Sequence, residues 1–279
     1  MGVLVFLNGQ FVPEPQAVVS VNDRGFMYGD GLFETMRVVN SRPFRIAQHL
    51  ERLMRGADFL KIKCPFTPKE LQQFAGQLIG KNRMPDSILR LTLTRGPGER
   101  GYTPEANGKP TVVITLHAAP PLNNPVRWSL VTSSYRIPAG DPLSLFKTAN
   151  KLIHIMARIE AIEKGADEAL LVNTSGEAAE TASGNLFWVH NDEIYTVPTD
   201  CGALPGITRA IVLEICRTLG LPVNKCAIKP EALKNSEGIF ITQSALGIVP
   251  VTTLDGEPVA ASPLVDQIAR AYSDLLATS

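Results

Sequence analysis

The chain has 279 residues, 44% of them hydrophobic, so it is long enough to bury a sizeable core. Its 27 basic and 27 acidic side chains leave no net charge, which argues against nucleic acid as a partner. No apolar run approaches the roughly 20 residues of a membrane span and the N-terminus lacks the basic flank of a signal peptide, so we expect a cytoplasmic protein without a membrane partner.

The first half of the chain alternates strand and helix signals. Asn8-Gly9 separates two short apolar runs and is the dipeptide best suited to a type I′ turn, so a β-hairpin opens the fold. Asn40-Ser41 separates two further runs in the same way. Thr67, Pro68 and Glu70 combine an N-cap, a first-turn proline and a reciprocal acid, which predicts a helix start. The predicted strands are residues 3–7, 10–12, 32–39, 43–46, 87–94 and 111–118, and the predicted helices are residues 50–60 and 68–81.

A proline-rich stretch divides the chain. Residues 119–125 contain three prolines and two asparagines without periodicity, which is typical of a connection between domains. We expect a small α+β domain over residues 1–119, a linker over residues 120–125 and a larger α/β domain over residues 126–279. In the second half the predicted helices are residues 152–164, 208–219 and 263–276, and the predicted strands are residues 169–172, 185–190, 194–197, 223–228 and 238–242.

Three positions in the second half have side chains or backbone suited to chemistry. Lys147 lies among apolar residues ahead of a helix, and a desolvated lysine can act as nucleophile and base; the segment alone favours a solvated lysine. Glu180 lies in a small-residue stretch where backbone can approach a flat ligand, although a loop carboxylate in water fits equally. Gly206-Ile207-Thr208 opens a helix, whose N–H groups can hold a phosphate, but such a sequence is more often an ordinary N-cap.

Motifs spread over nearly the whole chain resemble, in order, those of the class IV aminotransferases. They are residues 23–35 (DRGFMYGDGLFET), 49–53 (HLERL), 147–152 (KTANKL), 180–187 (ETASGNLF), 204–209 (LPGITR), 242–245 (TQSA) and 249–251 (VPV).

This resemblance implies an enzyme that uses pyridoxal 5′-phosphate (PLP). The implied fold is that of the D-amino-acid aminotransferase-like enzymes, with a small α+β and a larger α/β domain, the cofactor between them, and a homodimeric assembly. Lys147 would hold PLP as a Schiff base and act as general base, with Lys151 as the competing lysine, and Glu180 would bind the pyridine nitrogen. The implied phosphate ligands are Arg52, Ile207, Thr208, Ser244 and Ala245.

The resemblance leaves two reactions open and favours one. Residues 95–102 (RGPGERGY) resemble the active-site loop of aminodeoxychorismate lyases, which favours cleavage of 4-amino-4-deoxychorismate to 4-aminobenzoate and pyruvate. The alternative is an aminotransferase of D-amino acids or branched-chain L-amino acids. Leu152 argues against a branched-chain aminotransferase, because those enzymes carry a tyrosine at this position. Glu34 favours an aminotransferase over a lyase, because the lyases tend to have a hydroxyl residue at this position. The implied substrate contacts are Phe33, Arg100, which could hold a carboxylate, and Tyr102, although a solvated arginine on a flexible loop also explains Arg100.

The remaining polar residues indicate no second chemistry. The histidines do not cluster at metal-ligand spacing, so we interpret them as structural and expect no metal; they are His49, His117, His154 and His190. The cysteines form no CxxC pair and are expected to be free thiols; they are Cys64, Cys201, Cys216 and Cys226. An inactive PLP-binding homologue is a third hypothesis, which an intact Lys147, Glu180 and Arg52 oppose.

Overall fold

The computed structural model describes residues 2–105, 108–121 and 126–278. They form two compact units. Unit 1 contains the chain up to Pro120 together with Phe146–Asn150, and unit 2 contains Pro121–Leu145 and Lys151–Thr278. None of the helices in the described ranges combines the length and apolar character needed to cross a membrane.

Unit 1 is a six-stranded sheet with two long helices packed on one face. Its strands are β1 (Leu4–Leu7), β2 (Gln10–Pro13), β3 (Gly31–Val39), β4 (Arg42–Pro43), β5 (Ser87–Thr94) and β6 (Thr111–Ala118), in the antiparallel order β2-β1-β6-β5-β3-β4. Its helices are α1 (Arg24–Tyr28), α2 (Ile46–Phe59) and α3 (Pro68–Asn82). Alternate residues of each strand, such as Met36 and Leu91, join Leu53 and Leu78 of the long helices in one core.

Unit 2 is built on a nine-stranded mixed sheet in the described residues. Its strands are β7 (Trp128–Ile137), β8 (Glu168–Asn173), β9 (Ala178–Thr181), β10 (Asn185–His190), β11 (Glu193–Thr196), β12 (Val223–Lys225), β13 (Gly238–Gln243), β14 (Gly247–Leu254) and β15 (Glu257–Pro258). Its helices are α4 (Leu152–Glu163), α5 (Ile207–Leu219), α6 (Pro230–Leu233) and α7 (Pro263–Ala277). Ala157 and Ala161 of α4 pack on Leu171, while Leu170 joins the core of the opposite face. Both faces of β8 are therefore buried, which explains its continuous apolar sequence.

Local signals located most of the predicted elements. The hairpin at Asn8-Gly9 is confirmed, with both residues at positive φ, and so is the capping box between Thr67 and Glu70. The predicted ends of α4 and α5 are confirmed at Gly165 and Gly220, since both glycines adopt the left-handed conformation. The cysteines are free thiols. The predicted mixture of α+β and α/β structure is also confirmed.

The sequence analysis missed several strands and misplaced one short segment. It did not predict β7, β9 or β14, and it placed residues 146–150 in the second domain. These five residues belong to unit 1 because the segment pairs with the free edge of β3 and the Phe146 ring packs against Phe59, with centroids 4.7 Å apart. Part of the predicted linker, residues 122–125, lies outside the described residues.

Removing the N-cap of α3 is expected to weaken the fold by a small, local amount. Thr67→Ala loses the hydroxyl that accepts from the Glu70 N–H, so the free energy of unfolding should fall by about 1 kcal/mol. Urea denaturation measures the change. The control is Lys69→Ala, an exposed change in the same helical turn outside the capping box. An equal loss in the control would contradict the capping assignment.

Candidate functional site

Lys147 is positioned by backbone hydrogen bonds to the edge of β3. The Phe33 N–H donates to the Lys147 carbonyl and the Ala149 N–H donates to the Gly31 carbonyl, each at 2.9 Å. The Lys147 Nζ lies 4.8 Å from the centroid of the Phe33 ring. Lys147, the predicted catalytic residue, and Phe33, a predicted substrate contact, are therefore neighbours in unit 1.

Asn150 fixes the other end of the same segment. Gly29 has a φ of 66°, and a Cβ built on it would lie 2.5 Å from the Asn150 Oδ1. The Asn150 amide also donates to the Gly29 carbonyl at 3.3 Å. Position 29 therefore requires a glycine, because the backbone has a positive φ and the Asn150 side chain lies against it. This requirement explains why the motif of residues 23–35 has a glycine at this position.

A buried carboxylate lies on the helix side of β3. Glu34 accepts hydrogen bonds from the Arg52 Nε at 2.8 Å and the Arg52 Nη2 at 2.7 Å, and its Oε2 lies 2.7 Å from the His49 Nδ1. Burial by itself raises the pKa of Glu34, but the hydrogen bonds and charges of Arg52 and His49 outweigh it and lower the pKa to about 2. Burial lowers the pKa of His49 below its ordinary value, although the hydrogen bond and charge of Glu34 oppose this shift. We call these three residues the Glu34 cluster.

The Glu34 cluster bears on the predicted role of Arg52. The sequence analysis assigned the guanidinium to a phosphate, and in the structure its Nε and Nη2 edge binds Glu34. Glu34 thereby orients a side chain that is only 4% exposed. The phosphate contact of Arg52 stays a prediction.

The loop that carries Arg100 and Tyr102 is anchored by a second ion-pair cluster. The Arg24 guanidinium donates to the Gly101 carbonyl at 2.7 Å and to Asp30 at 2.9 Å. Burial raises the pKa of Asp30, but hydrogen bonds from Arg95 and Arg24 outweigh it, so the pKa stays below its ordinary value. Arg100 and Tyr102 themselves are exposed in unit 1, and their contact with substrate stays a prediction.

Glu180 lies near the end of β9 in unit 2 with two hydrogen-bond partners. Its Oε2 accepts from the Leu204 N–H at 2.9 Å and its Oε1 lies 3.1 Å from the His154 Nε2. The Leu204 carbonyl in turn accepts from the Asn185 amide at 2.8 Å. The carboxylate is therefore fixed to the loop that leads into α5.

The start of α5 has the donors that a phosphate needs. Gly206 is the N-cap, and no side chain in the described ranges caps the helix; a Cβ on Gly206 would lie 2.0 Å from the Asn185 Oδ1. Thr242 pairs with Asn185 across the sheet, and among the described residues its buried hydroxyl has no hydrogen-bond partner. Ser244 and Ala245 follow in the β13–β14 turn.

The predicted residues divide between the two units. Unit 1 contains Lys147, Arg52 and Phe33, together with Arg100 and Tyr102, and unit 2 contains Glu180, Ile207, Thr208, Ser244 and Ala245. Sequence reasoning missed the pairing of His154 with Glu180 and of His49 with Glu34, having interpreted both histidines as structural. No local pattern could have revealed these contacts, because each joins residues distant in sequence.

A family comparison identifies the chain. The model described as "Amino-transferase class IV" matches residues 31–254. The chain belongs to the class IV aminotransferase family. It is therefore a PLP-dependent enzyme.

Curated relatives cover most of this family member and carry different activity names. A Methanocaldococcus jannaschii protein provisionally named branched-chain-amino-acid aminotransferase is 34% identical over 91% of this chain and 89% of its own. D-alanine aminotransferase of Bacillus licheniformis is 31% identical over 97% and 96%. Aminodeoxychorismate lyase of Bacillus subtilis is 29% identical over 90% and 87%. The specific reaction therefore does not follow from the family.

A solved relative carries the amine form of the cofactor. The branched-chain amino acid aminotransferase of T.th. with pyridoxamine 5′-phosphate has a TM-score of 0.94 and 29% identity, covering 100% of this chain and 95% of that one. The residues of this chain suit PLP, because unit 2 offers an uncapped helix start and an unpartnered buried Thr242 hydroxyl, among the described residues, for a phosphate, with a buried carboxylate at Glu180 for a protonated ring nitrogen.

Neutralising Glu34 is expected to destabilise the protein in a pH-dependent way. Because its pKa is lowered from 4.5 to about 2, Glu34 contributes stability above pH 4.5 that is lost as the pH falls towards 2. Glu34→Gln also leaves Arg52 buried without its carboxylate partner, so the free energy of unfolding at pH 7 should fall by roughly 3 kcal/mol. Urea denaturation at several pH values measures both effects.

The control for this variant is Glu51→Gln in the same helix as Arg52, where the carboxylate is exposed. The difference in the free energy of unfolding between wild type and Glu34→Gln should become smaller below pH 4.5. The free energy of unfolding of the control should stay close to that of wild type. A gap that did not change with pH would mean that Glu34 is not held ionised by Arg52.

Proposed function

We propose that this PLP enzyme is an aminotransferase that converts an α-amino acid to its keto acid. The observation that carries the proposal is the buried acid at position 34. By the resemblance described in the sequence analysis, aminotransferases often have an acid at this position, whereas lyases tend to have a hydroxyl residue. Glu34 orients Arg52 and balances its charge. A threonine or serine there could not balance that charge, so the acid is part of how this site is built.

We assign the chain's own groups as follows. PLP, when bound, supplies an electron-withdrawing ring that stabilises negative charge at the substrate Cα. Nζ of Lys147 accepts the proton that leaves Cα. Glu180, held by the Leu204 N–H and His154, presents a negative charge to the ring nitrogen. The proposed phosphate donors are Arg52, Ile207, Thr208, Ser244 and Ala245.

A 4-amino-4-deoxychorismate lyase, which the sequence analysis favours, is the second candidate. Its support is the loop of residues 95–102, whose resemblance to the lyases covers Arg100 and Tyr102. Arg24 donates to the Gly101 carbonyl of this loop, and Asp30 forms an ion pair with Arg95 at its start. These contacts hold both ends of the loop in place. Elimination of pyruvate and transfer of an amino group start with the same proton removal, and they differ in whether a keto-acid acceptor is needed.

A single-donor experiment separates the two reactions. The holoenzyme is mixed in turn with D-alanine, L-leucine, L-glutamate and 4-amino-4-deoxychorismate, without acceptor. An aminotransferase should release at most one keto acid per active site and then stop, because its cofactor remains in the amine form. A lyase should release 4-aminobenzoate and pyruvate continuously. Continuous release would overturn the aminotransferase in favour of the second candidate.

Lys147→Ala tests the family chemistry within the same experiment. This variant should lose the yellow absorption of the holoenzyme and all product formation, because we assign the covalent attachment of the cofactor to Lys147 alone. Lys151→Ala is the control, since Lys151 is the competing lysine four residues on, and it should keep the colour. Loss of colour only in Lys151→Ala would move the assignment to that lysine.

We also propose a homodimer, which the sequence resemblance implies, and a cytoplasmic location. The solvent side of α4 presents Leu152, Ile155, Ile159 and Ile162, between 42% and 71% exposed in the single chain. Residues at these three- and four-residue spacings lie on one helix face. An exposed apolar stripe of this kind is typical of a protein interface, and a second copy of the chain would cover it.

Charging this stripe is expected to separate the subunits. Wild type should sediment at twice the 30.2 kDa of one chain, and the double variant Ile155→Lys/Ile159→Lys should sediment at that single mass, because burying two ammonium groups is costly. Leu219→Lys, an apolar exposed residue on α5, is the control and should stay dimeric. A monomeric wild type, or a double variant that stays dimeric, would contradict the proposed interface.

A further inference from the structure

Arg209 is a buried cation in the first turn of α5. The residue is 7% exposed. Its Nη2 donates to the Val197 carbonyl at 3.0 Å, and its Nε is buried without a hydrogen-bond partner in the described part of the chain. The guanidinium has therefore lost most of its contact with water and has gained a single neutral acceptor.

No carboxylate balances this charge among the described residues. Ion pairs do form at Arg24, Arg52, Arg95 and Arg158, but not at Arg209. Burial lowers the pKa of Arg209, yet an arginine stays charged at neutral pH. Because a buried cation without a partner is costly, an anion from outside the chain would stabilise it.

The position of Arg209 in the helix makes this cost larger. The N–H groups of the first turn have no acceptor within a helix, and they give its N-terminus a partial positive charge. A cation is favourable in the last turn, where α5 has Arg217, and unfavourable in the first turn. Arg209 therefore adds a full positive charge to a helix end that is already positive.

A second buried group without a partner lies on the α5 side of the sheet. Thr242 and Asn185 are directly opposite each other on β13 and β10, so their side chains share one face. The Asn185 side chain contacts the loop before α5, since it donates to the Leu204 carbonyl and lies against Gly206. The Thr242 hydroxyl, unpartnered within the described ranges, is therefore on the face that this loop covers.

A phosphate ester matches this pattern of charge. It carries about 1.5 to 2 negative charges at pH 7, whereas a helix N-terminus supplies about half a positive charge. Arg52, the other cation that we assign to the phosphate, is already balanced by Glu34. The charge of Arg209 can supply much of the remainder, because charges in a protein interior are screened far less than charges in water.

We propose that Arg209 is a positioning residue for the cofactor, whose buried charge makes the start of α5 selective for a cofactor that carries a phosphate ester. This inference rests on the proposed function, since it uses the assignment of the phosphate to this helix start. Ile207 and Thr208 donate hydrogen bonds there, and Arg209 acts through its charge. The phosphate in turn balances a cation that the fold leaves buried.

Equilibrium binding tests this role without turnover. The full chain is freed of cofactor, and pyridoxamine 5′-phosphate and pyridoxamine, which lacks the phosphate, are titrated into it by calorimetry. Neither ligand forms a Schiff base with Lys147, because each has an amine in place of the aldehyde. Arg209→Met should weaken the binding of pyridoxamine 5′-phosphate roughly tenfold to a hundredfold and leave the binding of pyridoxamine unchanged.

Two further variants separate the charge from the shape of the side chain. Arg209→Lys keeps the charge, so it should bind pyridoxamine 5′-phosphate nearly as wild type does. A merely structural role would make Arg209→Lys and Arg209→Met equally poor in binding, which would contradict the inference. The control Arg217→Met changes an exposed arginine in the last turn of the same helix and should bind both ligands as wild type does.

Thermal denaturation supplies a second readout. Because a ligand of the folded state stabilises it, pyridoxamine 5′-phosphate should raise the Tm of wild type and Arg209→Lys by more than that of Arg209→Met. Should Arg209→Met fail to fold, Arg209→Gln also removes the charge while keeping a polar amide, and it should show the same loss of preference for the phosphorylated ligand.

The outcomes distinguish this inference from the proposed function. A wild type that prefers pyridoxamine 5′-phosphate, together with an Arg209→Met variant that keeps the same preference, would overturn the inference alone. A wild type that binds both ligands equally would overturn the phosphate site at α5 and the inference with it. The single-donor experiment decides between aminotransferase and lyase independently of either result.

Discussion

The pairing of residues 147–149 with the edge of β3 is the constraint on which the unit 1 site depends. Two backbone hydrogen bonds and the packing of Phe146 on Phe59 bring a short segment from the middle of the chain onto a sheet formed entirely by the first 118 residues. Without them, Lys147 would be a solvated lysine ahead of a helix. With them, its amine is fixed over Phe33, and its charge adds to the burial that lowers the pKa of His49. Position in the fold, more than local sequence, therefore makes this lysine suitable for chemistry.

Matched acidic partners stabilise three buried or partly buried arginines of unit 1. Arg24 and Arg95 hold the Arg100 loop through Asp30, and Arg52 is oriented by Glu34. Each pair offsets the cost of removing a charge from water by supplying a matched partner with good geometry. Arg90 is partly buried beside an aromatic ring, which compensates a cation less than a carboxylate does.

The features that could be predicted from the sequence are those determined by residues close together along the chain. Asn8-Gly9, the Thr67 cap, Gly165 and Gly220 locate element ends because their conformations are set within one turn. β7 was missed because its residues do not alternate: Ser133 and Ser134 bind Glu160 of α4, and the pairing with β8 shifts register between Thr132 and Arg136. For the candidate site, motif spacing led to the predictions for Lys147 and Glu180, but the partners of Glu34 and Glu180 depend on tertiary packing.

In unit 2 a single residue links the two ends of the proposed cofactor site. Leu204 lies two residues before the N-cap of α5; its N–H donates to Glu180 and its carbonyl accepts from Asn185. These two hydrogen bonds tether the loop before α5 to both Glu180 of β9 and Asn185 of β10. Asn185 also lies so close to Gly206 that any side chain there would collide with it, so this position requires glycine. A flat ligand that needs a carboxylate at one end and phosphate donors at the other would meet both already in place, and its binding would require little ordering of the protein.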